Sequence, residues 1–199
     1  MRLSFRFAVL VAAAFSLSIA SAAAQVSIKT KYYDIKGKTG LELFNDMNRK
    51  GPRHGFLTKA IAQTQFKPEL KGELVHAKGV CSARKLSFRL QVTYVYPRPV
   101  TKLDPALARR WKAFQAHNVA HEEMHGKIAR DMVTKMNRML RGFSLADGPS
   151  CRKTDSRLAD EIRRILVAYN NYQTEFDRRE HRDGGPVERS ILALVGKTR

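Results

Sequence analysis

Past its first two dozen residues, the 199-residue chain has no apolar run approaching the ~20 residues that a membrane-crossing helix needs, so a polytopic membrane protein is excluded. Cysteine is also scarce. There are two, Cys81 and Cys151, and no C-x-x-C pair, which removes a thiolate zinc cluster and a dithiol redox motif. Acidic residues are few, 18 Asp and Glu against 37 Lys and Arg, and the formal net charge is +19. No internal repeat and no low-complexity linker interrupts the chain, which excludes a solenoid and favours one domain.

What is present begins with a targeting signature. Arg2 and Arg6 lead into an apolar run from Phe7 to Ala20, and Ser21-Ala22-Ala23-Ala24 supplies the small residues that a signal peptidase accepts. The pattern predicts a signal peptide over residues 1–24 and a periplasmic or secreted protein over residues 25–199, a length that suits one domain with its own core. Losing Arg2 and Arg6 lowers the charge only from +19 to +17. The basic residues are spread along the chain rather than gathered in an arm. That distribution fits a well-solvated surface that also attracts anionic envelope surfaces, and export makes nucleic acid an unsuitable partner. In an oxidising compartment Cys81 and Cys151 read as one disulfide. Cys81 and Cys151 are 70 residues apart, and closing a loop of that length stabilises by roughly 4 kcal/mol in the chain-entropy view.

Periodicity divides the mature chain into a strand half and a helix half, an α+β pattern. Val26, Ile28, Tyr32, Tyr33 and Ile35 give a β-rich start, and a short helix follows from the N-cap Thr39 to Gly51-Pro52. Residues 56–67 read as a strand ended by Pro68. From Lys85 to Tyr96, apolar Leu86, Phe88, Leu90, Val92, Tyr94 and Tyr96 alternate with polar residues, which predicts a half-buried strand. Leu74 to Cys81 reads as its hairpin partner, making a small antiparallel sheet. Asp104-Pro105 then opens a long helix that runs to about Arg141. A second helix begins near Thr154, with Leu158, Ile162, Ile165, Leu166, Tyr169 and Tyr172 on its apolar stripe, and ends at Asp183-Gly184-Gly185-Pro186 before a short apolar tail through Leu192 and Val195. The expected architecture is a sheet packed on a C-terminal pair of long helices.

The first long helix carries His121-Glu122-Glu123-Met124-His125, an H-E-x-x-H motif. Histidines four apart lie about 40° from each other and one turn apart, so both imidazoles can reach one ion. Zinc is the cofactor this motif points to. It lowers the pKa of a bound water toward about 7, and Glu122 is placed to take that water's proton. Around the motif the helix reads Leu107, Trp111, Phe114, Asn118, His121, His125, Ile128, Met132, Met136 in steps of three and four. The apolar stripe thus turns polar in its middle, and buried imidazole nitrogens need partners. Hydrogen bonds to ordinary neighbours are the alternative to a metal. A third protein ligand is expected from the end of the second helix. His181 is the leading candidate, with Glu175, Asp177 and Glu180 as rivals. His117 reads as a rim residue, His54 and His76 as surface residues, and Tyr169 or Tyr172 could offer a hydroxyl to an oxyanion.

Four stretches carry a resemblance: KYYDIKGKTGLELFNDMNRKGP, GVCSARKLSFRLQVTYVYPRP, HEEMHGKIA and FDRREHRDGG. They resemble the bacterial family called domain of unknown function 922, described as predicted secreted zinc-dependent proteases. The resemblance implies a zincin-like helix pair beside a small sheet, with His121 and His125 as zinc ligands, Glu122 as catalytic base, and a peptide or protein substrate. The expected function is therefore an exported zinc metallohydrolase, a peptidase in the first instance. The competing expectation is a non-catalytic zinc-binding or cationic envelope-binding protein.

Overall fold

The computed structural model describes residues 25–54 and 58–197; the expected signal peptide lies outside them. In chain order the elements are β1 (Val26–Ile35), α1 (Gly40–Lys50), β2 (Arg53–His54), β3 (Thr58–Lys59), β4 (Gln63–Lys71), β5 (Val75–Ala77), β6 (Val80–Ser82), β7 (Ser87–Pro99), α2 (Pro105–Gly142), β8 (Ser144–Ala146), α3 (Arg152–Glu180) and α4 (Pro186–Val195). This is a mixed α+β arrangement, as the periodicity predicts. No helix among the described residues is long and apolar enough to cross a membrane.

The main sheet has the order β1-β7-β4, and three of its details depart from expectation. It is mixed rather than antiparallel: β1 runs parallel to β7, pairing Val26 with Leu90 through Ile35 with Pro99. An alternating strand has the same sequence pattern in either direction, so only the long connection through α1 and β4 reveals the crossover. The antiparallel partner of β7 is β4, not residues 74–81. That segment instead forms a hairpin of β5 and β6, which joins β8 in a separate small sheet. Pro68 does not end a strand but sits inside β4, opposite Leu90. β4 is an edge strand, where a residue lacking an N–H can be accommodated.

Both long helices form where the periodicity places them. The Asp104 carboxylate accepts hydrogen bonds from the backbone N–H groups of Ala106 and Leu107 at the start of α2, and Pro105 occupies the first helical position. Two further helices join the pair. α1 begins at Thr39, whose hydroxyl accepts from the Glu42 N–H. The apolar tail is the helix α4, with Leu194 fully buried. At Gly40 a Cβ would lie 2.0 Å from the Leu194 carbonyl oxygen, so a glycine is what allows α1 to meet α4 this closely. One core joins Phe88, Leu90, Val92, Tyr94 and Tyr96 of β7 to α2 and to Leu158 of α3. A second gathers Ile35, Leu43, Met47, Leu107, Phe114 and Leu194.

Cys81 and Cys151 form a disulfide with 5.7 Å between Cα atoms. It ties β6 to the residue preceding α3, where the Asp147 carboxylate accepts from the Thr154 N–H and hydroxyl.

Asn137, buried near the C-terminal end of α2, closes a gap in the sheet. β1 covers β7 from Leu90 onward, which leaves the Phe88 backbone without a strand neighbour on that edge. The Asn137 Oδ1 accepts from the Phe88 N–H at 2.9 Å, and its Nδ2 donates to the Phe88 carbonyl at 2.8 Å. Each buried polar group left unpaired costs roughly 1–3 kcal/mol. Replacing Asn137 with leucine should therefore lower stability by about 2–4 kcal/mol in a urea titration. A loss below 1 kcal/mol would show that Phe88 finds other partners.

Candidate metal centre

The site is built where β4, α2 and α3 converge. Along α2, His121 and His125 stand one turn apart and their rings approach edge to face, with centroids 4.9 Å apart. The two Nε2 atoms face each other at 3.2 Å. From α3, Asp177 brings Oδ1 to 3.0 Å from His125 Nε2 and 3.4 Å from His121 Nε2. Both imidazoles are largely buried, whereas Asp177 is 42% exposed and open to the cleft.

The other ring nitrogen of His125 decides how this triangle must be read. Its Nδ1 lies 2.5 Å from Gln173 Oε1, an amide oxygen that can only accept, so Nδ1 carries the proton. Gln173 Nε2 in turn donates to the His125 main-chain carbonyl at 3.1 Å, which holds the amide in that orientation. A neutral His125 then presents an Nε2 lone pair to a carboxylate oxygen and to a second imidazole nitrogen. A neutral His121 with its proton on Nε2 can donate to that lone pair. The 3.0 Å contact with the Asp177 oxygen, however, is repulsive unless a proton or a metal ion lies between the two atoms. Burial lowers the pKa of His125, but the hydrogen bonds with Asp177 and Gln173 more than offset this and raise it. Asp177 is displaced the opposite way. Burial raises its pKa, yet hydrogen bonds from His121 and His125 hold it well below the usual carboxylate range.

A metal ion fits the same place. Four-coordinate zinc with bonds of ~2.0–2.1 Å keeps neighbouring donor atoms about 3.3–3.4 Å apart. The three donor separations here are 3.0, 3.2 and 3.4 Å. His181, at the end of α3, also offers a ligand atom within 4.8 Å of those of His121 and Asp177. Its ring centroid is 5.4 Å from that of His121, and the residue is exposed. The other two expected rivals separate. Glu180 Oε2 lies 3.7 Å from His121 Nδ1, on the far side of that ring, while Glu175 is turned into an exposed ion pair with Arg178.

Glu122 lies next to the triangle, 5% exposed. The Thr64 hydroxyl on β4 is 2.6 Å from Glu122 Oε2. Burial raises the carboxyl pKa, and the Thr64 hydrogen bond and the two imidazoles reduce that rise without cancelling it. A carboxylate with a raised pKa is the better proton acceptor. One turn on, Gly126 gives room for Tyr94: a Cβ there would lie 1.8 Å from the tyrosine oxygen. The Tyr94 and Tyr96 hydroxyls and His117 Nε2 are buried without a hydrogen-bond partner among the described residues. Tyr169 and His117 line the cleft, Tyr172 is 59% exposed, and His76 is exposed on the small sheet. The His54 side chain lies outside what the structure describes.

A family model described as "Bacterial protein of unknown function (DUF922)" matches residues 30–185. The chain belongs to this family. No curated protein and no solved structure matches it. The stretch matched to DUF922 contains every residue of the cluster, from Thr64 through His121, Glu122, His125, Gln173 and Asp177 to His181. α4 lies beyond it, although Val187 and Ile191 of that helix line the same cleft.

Thr64 and Gln173 are site residues that the sequence pattern did not single out. Gln173 left a signal. The α3 stripe Leu158, Ile162, Ile165, Tyr169 continues in steps of four to Gln173 and Asp177, turning polar as the α2 stripe does. Thr64 left none, because its role depends on the register of β4 against β7.

Proposed function

We propose that this DUF922 chain is an exported zinc-dependent hydrolase of the zincin type, most simply a peptidase, in which His121, His125 and Asp177 hold the metal and Glu122 is the base. The observation that carries this reading is the His125 lone pair, fixed by Gln173 and aimed at Asp177 and His121. A zinc ion at that point would supply Lewis acidity, polarising a carbonyl and acidifying water. The chain's own groups do the rest. Glu122 takes a proton from the attacking water and returns it to the leaving nitrogen, while Thr64 fixes the carboxylate and Gln173 fixes the tautomer of His125. A polypeptide substrate is favoured by the cleft, about 1030 Å³ in volume, which is lined along one side by the edge strand β4.

The proximity of His181 favours a second reading. As a fourth ligand it would close the coordination shell, and the site would then be a structural zinc centre in a non-catalytic envelope protein. Metal analysis separates these readings. Purified mature protein should hold one zinc per chain, His121→Ala none, and Gln173→Ala should bind roughly 10–100-fold more weakly, with recovery in Gln173→Glu. His181→Ala should retain zinc if Asp177 completes the set. Absence of zinc from the wild type would remove the basis of both readings.

A further inference from the structure

The cleft extends along α2 with the metal centre at its middle, and its two ends differ in chemistry. Past His125, three elements recede from the centre together. α2 continues to Ala129 and Met132, β4 continues from Thr64 to Phe66 and Pro68, and α3, running the opposite way, leads back from Gln173 to Leu166. Leu90 of β7 lies on the face between them, paired with Pro68 as Val92 is with Phe66. From His125 to Met132 is about 10 Å along the helix, room for roughly three residues of extended chain.

All six of these lining residues are apolar. Phe66 and Leu166 are 40% and 38% exposed, while Leu90 and Ala129 are almost fully buried. Exposed large apolar side chains facing one another across a groove lose water when a matching group enters. The other end of the cleft is mixed, with Asn48, Lys59, His117 and Asn118 lining it beside Phe44, Ile61 and Ile191. Asn170, one turn from Leu166 on α3, brings a single amide to the apolar end.

We propose that Phe66, Pro68, Leu90, Ala129, Met132 and Leu166 form a specificity pocket that takes a large apolar side chain of a polypeptide substrate next to the bond placed at the metal centre. This inference rests on the hydrolase reading for the position of the bond, but the pocket's preference exists without the metal. Leu166 and Met132 determine selectivity because their side chains border the groove at its open side, where neither is fully buried. Phe66 supplies the aromatic wall.

The test uses fluorescein-labelled octapeptides of Ala and Ser carrying one Leu or Phe, compared with peptides carrying Gly or Asp in the same place. Anisotropy is read on zinc-loaded and on metal-stripped mature protein. Burial of one such side chain corresponds to roughly tenfold or more in affinity, so Leu and Phe peptides should bind at least that much more tightly in both forms. Leu166→Glu should abolish the preference while leaving zinc content and far-UV circular dichroism unchanged. Leu166→Ser, which adds no charge, should reduce it. Equal binding of all peptides, no binding of any, or a preference unmoved by both variants would overturn the pocket. A protein that binds no zinc yet keeps the preference would refute the hydrolase reading and leave the pocket standing.

Discussion

Replacing Glu122 with glutamine should lower peptide hydrolysis by roughly 10²–10⁴-fold while zinc content stays at the wild-type level. Glutamine keeps the shape of the side chain and an oxygen that can accept the Thr64 hydroxyl, so the junction of β4 with α2 should survive. What it lacks is a basic oxygen able to take a proton. The surroundings sharpen the contrast. Burial raises the pKa of Glu122, so the carboxylate gains more from accepting a proton than an exposed one would. The measurement is turnover of a broad peptide library followed by mass spectrometry, alongside metal analysis of the same samples. Undiminished cleavage by Glu122→Gln would remove Glu122 from the base role. A wild type that holds zinc and cleaves nothing would instead favour the closed-site reading with His181.

Removing the disulfide should produce the largest loss of stability. Cys81 and Cys151 are 70 residues apart and both are buried. In the chain-entropy view, opening such a loop costs roughly 4 kcal/mol by relaxing the unfolded chain. For a domain of this size each kcal/mol corresponds to about 2–4 °C, so Cys81→Ala with Cys151→Ala should melt roughly 10 °C or more below the wild type. The link holds the small sheet against the start of α3, whereas Gln173 and Asp177 lie about six to seven turns further along that helix. Zinc content at room temperature should therefore be unchanged. A double variant that melts with the wild type would show that the packing of β6 and β8 already fixes this end of α3.

The cluster shows where sequence reasoning reaches and where it stops. His121, Glu122 and His125 were legible because helical geometry alone places residues four apart on one face, whatever surrounds the helix. The third position was not. His181, Asp177, Glu175 and Glu180 all occupy the end of α3, and the sequence does not reveal how that helix is rotated against α2. That rotation places Asp177 within 3.4 Å of both imidazoles and turns Glu175 toward solvent.

The sequence by itself determined the two long helices, the caps that start α1 and α2, the pairing of the only two cysteines and the pair of imidazoles, because each depends on contacts within a few residues or on there being a single choice. Tertiary structure alone decided the parallel placement of β1, the tolerance of Pro68 in an edge strand, the repair of the Phe88 edge by Asn137, and the meeting of Thr64, Gln173 and Asp177 around the histidines. Those features depend on register and rotation between elements distant in the chain, and the same alternation of apolar and polar residues is compatible with several of either.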